Sequence, residues 1–167
     1  MLEWSEVHFE DGPDLRLIAG REGIRVIEFI QREERYPAAG AERNDGNALL
    51  REAIRQLRAY FDRQLREFQL PLDPQGTEFQ KRVWRQLTAI PYGETRSYSQ
   101  IAEAIGAPRA VRAVGAANGA NPIAIVVPCH RVIGLSGKLV GYGGGLRLKQ
   151  RLLELEGVMS LSFRYTG

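Results

Sequence analysis

Apolar and polar residues alternate from Leu15 to Gly20 and again from Ile24 to Ile30, with Arg21, Glu22 and Gly23 between the two runs. A period of two in branched residues around a short glycine-containing link predicts a β-hairpin. Residues 31–47 place Pro37, Gly40 and Gly46 among charges and predict a surface loop. The period then changes. Leu50, Ile54, Leu57, Phe61, Leu65 and Phe68 recur at helical spacing, which predicts one long amphipathic helix starting at Asn47, with an Arg-rich but charge-balanced solvent face.

Two prolines and a glycine between Leu70 and Gly76 break this pattern and predict a boundary, with a lobe at residues 1–74 and a second at 75–167. Thr77 and Gln80 then have the spacing of a capping box, and Phe79, Val83, Leu87 and Ile90 predict a helix stopped by Pro91, Tyr92 and Gly93. Ser97 and Gln100 repeat the box. They open a helix with Ile101, Ala102 and Ile105 inward and Gly106 as its C′ residue. After Ala107 and Pro108, residues Arg109 to Asn118 predict another helix, with Ala110, Val111, Val114 and Ala117 on its apolar side. Ala110, Ala113, Gly115, Ala116, Ala117 and Gly119 are small enough to admit another backbone, and Arg112 points away from the apolar side. Two short helices around such a turn outline either a helix-turn-helix or an ordinary αα-hairpin.

The run Ile123 to Val127 is short and β-branched at its end, and predicts a buried strand ended by Pro128. Cys129 and His130 follow at its exit. Six glycines between Ile133 and Gly145 predict a loop without Walker spacing, whose backbone can approach a planar ligand closely beside Tyr142. Leu146 to Glu156 predicts a helix closed by Gly157; residues 158–167 form a tail with no assignable role. The pattern as a whole predicts an α+β, two-lobed fold. A small sheet-plus-helix lobe precedes a mainly helical lobe that carries the cysteine.

Composition adds bounds. The content of 44% hydrophobic and 26% charged residues is that of a globular protein. No apolar run has membrane-spanning length, and the acidic first twenty residues do not resemble a signal peptide, so no membrane partner and a cytoplasmic location are expected. The single cysteine cannot form an internal disulfide, and with His8 and His130 the only histidines, no Cys/His metal site is expected. Residues 1–74 carry 11 basic against 15 acidic side chains, whereas residues 75–157 carry 11 against 5. That surplus of six suits either a polyanionic partner or simple solubility. A thiol beside an imidazole is either an activated nucleophile or a buried small hydrophobe.

What separates these readings is a set of motifs in one order: Gly76 to Gln80, Val83-Trp84, Ile90 to Gly93, Ser97-Tyr98, Arg112 to Gly115, Asn121-Pro122, Pro128 to Val132 and Gly141-Tyr142. Together, from about Gly76 to Gly157, they closely resemble the O6-alkylguanine-DNA alkyltransferases, also called methylated-DNA–protein-cysteine methyltransferases. The first half resembles the family only in general organisation.

The resemblance implies a cofactor-free, monomeric repair protein without an obligate protein partner. It would bind double-stranded DNA through the minor groove and rotate an O6-alkylguanine, or more slowly an O4-alkylthymine, out of the stack. The alkyl group would then move irreversibly to Cys129. By the same resemblance His130 is the base acting through a water, Glu156 orients it, and Asn121 ties the helix-turn-helix to the active-site turn. Arg112 is the side chain inserted where the base was, and Tyr98 presses on the target phosphate and donates a proton to the leaving oxygen. Ala110, Ala113 and Asn118 are assigned to the DNA face. The backbone of Cys129 and Val132, the ring of Tyr142 and the backbone of Gly143 and Gly144 are assigned to the base pocket. Some members carry Ser at the position of Gly143 and so have a hydroxyl donor that this chain lacks. Some also bind zinc in the first half, where this chain has no cysteine. A Cys-His hydrolase and a helix-turn-helix regulator with a structural cysteine are the competing functions.

Overall fold

Strand β1 (Leu2–His8) has no counterpart in the hydropathy reading, because Trp4 and the adjacent Ser5 are both buried and spoil the alternation. The Ser5 hydroxyl donates to Asp45 at 2.7 Å, so its burial leaves no orphaned donor. The chain is described from a computed structural model covering residues 1–30, 40–135, 137 and 139–158. The expected hairpin forms as β2 (Asp14–Ala19) and β3 (Ile24–Phe29), paired antiparallel, with β1 antiparallel on the other side of β2. A short β4 (Ala41–Arg43), inside the stretch expected to be loop, adds parallel to β1 and gives the order β3-β2-β1-β4. Residues 31–39 of that expected loop lie outside the described residues.

Helix α1 (Ala48–Phe61) starts where Asn47 accepts the Leu50 amide at 3.0 Å. It buries Leu50, Ala53, Leu57 and Tyr60 on the sheet, and each large side chain contributes about 1.5–3 kcal/mol. The periodicity predicted a helix reaching Phe68, but it ends at Phe61. Arg63 takes the left-handed conformation (φ 61°), the Arg63 amide bonds the Tyr60 carbonyl, and the Gln64 amide bonds that of Ala59. This is a Schellman closure with arginine in glycine's usual place. The buried Gln56 amide then pairs with both backbone groups of Gln69, at 2.9 and 3.0 Å, and holds the returning chain extended.

These elements and Pro122–Ala124 form one of two units; the other holds Gly76–Asn121 and the chain from Ile125 onward. In the first, Ile123 makes an isolated parallel bridge with Ile27. That bridge is all that exists of the strand expected at Ile123 to Val127. The segment is buried as expected, but Ile125 has φ 71°, which turns the chain out of any ladder. Left-handed backbone at a β-branched residue is strained by about 1–3 kcal/mol and persists only where its surroundings enforce it.

The second unit begins with α2 (Glu78–Thr88) and its complete Thr77–Gln80 capping box. The two-residue β5 (Arg96–Ser97) leads into α3 (Tyr98–Ala104), opened by the second box, Ser97–Gln100. Gly106 (φ 75°) closes α3, and α4 (Val111–Gly119) follows without a side-chain cap. β6 (Val132–Ile133) pairs parallel with β5, and α5 (Leu146–Leu155) ends at Glu156 and Gly157 (φ 84°). Helices α2, α3 and α4 pack on one another. The buried Trp84 indole N–H donates to the Ala117 carbonyl at 2.8 Å, which locks α2 to α4.

Gly76 is required by this arrangement. A Cβ there would fall 2.7 Å from Trp84 Cζ3 and 2.7 Å from Gln80 Oε1, against a ring that the Ala117 bond holds in place. Gly76→Ala is therefore expected to destabilise the protein by about 1–3 kcal/mol in thermal or urea unfolding. An unchanged midpoint would mean that Trp84 moves freely.

Candidate active site

Pro128 is followed by a 3-10 turn, Cys129–Arg131, in which the cysteine, histidine and arginine are all buried. The turn is built from its own backbone: the Cys129 amide bonds the Val127 carbonyl at 2.8 Å and the Arg131 amide bonds that of Pro128 at 3.0 Å. Val132 then enters β6 opposite Arg96, and the β5–β6 pairing brings the start of α3, and so Tyr98, to the turn. From α4, the Asn118 amide reaches the Cys129 carbonyl at 3.5 Å. The Asn121 amide donates to the Val127 carbonyl at 2.8 Å and also hydrogen-bonds the thiol. Asn118 was expected on the DNA face. It is buried instead, because it lies on the same side of α4 as the core residues Val114 and Ala117.

His130 is fully buried, and its Nε2 lies 2.7 Å from Glu156 Oε2. Burial pushes the imidazole below its usual range, ahead of the opposing pull of Glu156, and the charges of Arg131 and Lys149 add to the depression. The ring is thus neutral near pH 7. Burial works against ionisation of Glu156, yet the hydrogen bonds of His130 and Arg131 and the charge of Arg131 prevail and hold its carboxyl at about 2. The contact is therefore a charge-assisted hydrogen bond from Nε2–H to a carboxylate rather than an ion pair. Nδ1 is buried and bonded to no protein group among the described residues.

Burial also pushes the Cys129 thiol up, against the Asn121 hydrogen bond and the charge of Lys149. The resting group is a thiol. Tyr98 and Tyr142 stay protonated for the same reason: burial, then the nearby Cys129, raises both, Tyr142 well above its ordinary range. The Tyr142 ring stands edge-on to His130 at 6.5 Å, and the Tyr98 hydroxyl donates to the Val140 carbonyl at 3.3 Å. Gly143 and Gly144 form the turn after Tyr142, and a Cβ at Gly143 would meet nothing within 4 Å. On α4, Arg112 and Ala113 are exposed and Ala110 is half-buried at its start. Among the described residues no cluster of His, Cys, Asp and Glu could hold a metal ion.

Two site residues escaped the sequence reading. Arg131 clamps Glu156, with Nε to Oε1 at 2.7 Å and a terminal nitrogen to Oε2 at 3.1 Å, while its other terminal nitrogen donates to the Ile90 carbonyl at 2.7 Å. Lys149 is fully buried, and its ammonium donates to the carbonyls of Val140 and Gly141 at 3.1 and 3.5 Å. A signal was present. Lys149, Leu152, Leu153 and Glu156 follow one another at helical spacing and share the buried stripe of α5 and its cap, so both charges stand where only apolar residues belong.

The comparisons with known proteins agree with one another. Residues 78–158 match the family model of the 6-O-methylguanine DNA methyltransferase DNA-binding domain, and residues 7–74 that of the ribonuclease-like domain of the same enzyme. A methylated-DNA–protein-cysteine methyltransferase of Mycolicibacterium paratuberculosis is 71% identical over 104 residues, 62% of this chain and 63% of its own length. The chain's match thus covers somewhat under two thirds of that relative. The Methanosarcina barkeri protein of the same description is 53% identical over 84% of this chain and 89% of its own. The crystal structure of Mycobacterium tuberculosis OGT in complex with DNA superposes with a TM-score of 0.83 at 48% identity, covering 96% of this chain and 98% of that one. With both halves matched in order, the chain belongs to the 6-O-methylguanine DNA methyltransferase family.

Proposed function

We propose that this protein repairs DNA by moving an alkyl group from O6 of guanine, and more slowly from O4 of thymine, onto its own Cys129. The observation that carries this reading is a single buried thiol, on a turn tied to α4 by Asn118 and to the chain just after it by Asn121, beside a neutral His130 that donates to an ionised Glu156. The sulfur attacks the alkyl carbon, a C–S bond forms as the C–O bond breaks, and the S–H proton passes through a water to Nδ1 of His130. Guanine leaves with the bonding pair on O6 and takes a proton from the Tyr98 hydroxyl, which burial keeps protonated. The thioether has no low-energy return to thiol, so each molecule acts once.

Residues 1–74 serve as a structural domain and residues 75–167 as the DNA-binding and acceptor domain. The partner is duplex DNA, held at the minor groove through α4. Arg112 enters the stack vacated by the extruded nucleotide, while Ala113 and the start of α4 at Ala110 lie along the backbone. Tyr142, Val132, Gly143 and Gly144 enclose the base. Among the described residues no helix is long and apolar enough to cross a membrane. A reducing, cytoplasmic setting suits a nucleophile that must remain a free thiol.

Intact and peptide mass spectrometry after mixing the protein with a duplex containing one O6-methylguanine tests the reading. One added methylene per protein, on Cys129 and limited by the amount of protein, is expected. Many turnovers of an ester substrate would favour a hydrolase, and tight binding to a specific undamaged sequence with no mass gain would favour a regulator.

A further inference from the structure

His130 can serve as a base only if the nitrogen facing away from Glu156 carries no proton, and nothing in the imidazole itself selects that tautomer. The selection has to come from the carboxylate. A buried carboxyl beside a neutral ring has two arrangements available: ionised and accepting from Nε2–H, or protonated and donating to Nε2, which moves the ring proton to Nδ1. We propose that Arg131 is the positioning residue that makes this choice: by clamping both oxygens of Glu156 it restricts the carboxylate to accepting from Nε2–H and leaves Nδ1 as the atom that takes the Cys129 proton.

The geometry is specific to a guanidinium. One edge, Nε and a terminal nitrogen, meets Oε1 and Oε2 at 2.7 and 3.1 Å, the fork that a planar cation offers a carboxylate. The remaining terminal nitrogen is anchored on the Ile90 carbonyl at 2.7 Å, just beyond α2, and the group lies over the Tyr92 ring at 5.8 Å. Tyr92 in turn donates to the Leu155 carbonyl at 3.1 Å, one residue before Glu156. The clamp is thus fixed at both ends to the backbone that carries its target. Among the described residues, the titratable groups facing Glu156 include His130 and Arg131 from the 3-10 turn and Tyr142 from the glycine loop, with Lys149 of α5 acting on His130. Without Arg131, the cation that opposes burial of the carboxyl is gone, and protonation becomes easier.

The inference rests on the alkyl-transfer reading but is tested separately. The chain has two histidines, so the imidazole 15N spectrum of the full-length protein resolves His130 from the exposed His8. The unaltered protein is expected to show the Nε2–H tautomer of His130. Arg131→Met should move it toward Nδ1–H, and Arg131→Lys, which restores one cation, should return most of it. Alongside, single-turnover transfer is measured from free O6-benzylguanine, whose benzylic carbon is activated and which needs no DNA binding. Arg131→Met should be at least tenfold slower near pH 7, with its rate relative to the unaltered protein rising as pH rises and Glu156 ionises again. A merely structural role predicts a ratio independent of pH and an unchanged tautomer, and that result overturns the proposal. If Arg131→Met does not fold, Arg131→Gln, which keeps a donor but removes the charge, decides: a tautomer and a pH ratio identical to those of the unaltered protein also overturn the proposal. Failure of the unaltered protein to gain a benzyl group would reject the alkyl-transfer function while leaving the tautomer assignment to be read from the spectrum.

Discussion

Cys129→Ala is expected to transfer nothing: after incubation with O6-methylguanine duplex its mass stays unchanged, while its affinity for that duplex stays within a few-fold of the unaltered protein. The chain has no second thiol to take over. The buried amine of Lys149 is held at about 8, so about nine tenths of it is protonated at pH 7 and its protons are committed to Val140 and Gly141. Losing one sulfur from this buried turn costs about 1 kcal/mol of packing, too little to unfold the domain. The turn's own ties, from Asn118 and Asn121 to the backbone carbonyls of Cys129 and Val127, do not use the thiol. An alkyl group on any residue of the alanine variant would overturn the assignment of Cys129.

Lys149→Met is expected to make the protein more stable and less active. Desolvation pulls the ammonium from 10.5 to about 8, partly opposed by Cys129. A depressed folded value on a base means that the folded state binds fewer protons between those limits. Stability therefore rises as pH climbs from about 8 to about 10.5, and below 8 the whole cost of the buried charge remains, about 3 kcal/mol. The bonds to Val140 and Gly141 offset part of what methionine would recover, so a net gain of about 1–2 kcal/mol at pH 7 is expected, with the alkaline rise in stability removed. The same substitution takes from the Cys129 thiolate the cation that opposes its desolvation, and transfer should slow about tenfold. Urea unfolding at pH 7 and pH 10, with single-turnover rates, checks both halves. A variant that is less stable and equally fast would show the ammonium to be a structural strut.

Local chemistry was legible in the sequence, and directions of the backbone were not. Thr77 with Gln80 and Ser97 with Gln100 announced the starts of α2 and α3 because a capping box satisfies its bonds within four residues. The end of α1 was hidden because Arg63 takes a conformation that sequence rules reserve for glycine. The run Ile123 to Val127 announced its burial correctly, but hydrophobicity carries no information about φ, and Ile125 turns where a strand would continue. Within the site, Cys129, His130, Asn121 and Glu156 are assigned by the family resemblance and do come together. A charged side chain in a basic domain suggests solvent, which hides Arg131 and Lys149, and the resemblance places Asn118 on the outer face. Only packing shows that all three face the thiol turn or the carboxylate that orients it.

The two tryptophans fall one to each unit. Trp4 sits in the sheet with the guanidinium groups of Arg16 and Arg43 over its ring, and Trp84 is sealed between α2 and α4 with its N–H on a backbone carbonyl. Each unit thus carries its own fluorophore in a distinct setting, one against cations and one in an apolar, hydrogen-bonded niche. With Trp4 replaced by phenylalanine, the remaining emission reports melting of the helical unit alone, and in the converse variant that of the sheet. Overlaying the two curves makes the cooperativity of the molecule an optical observable, with no label attached.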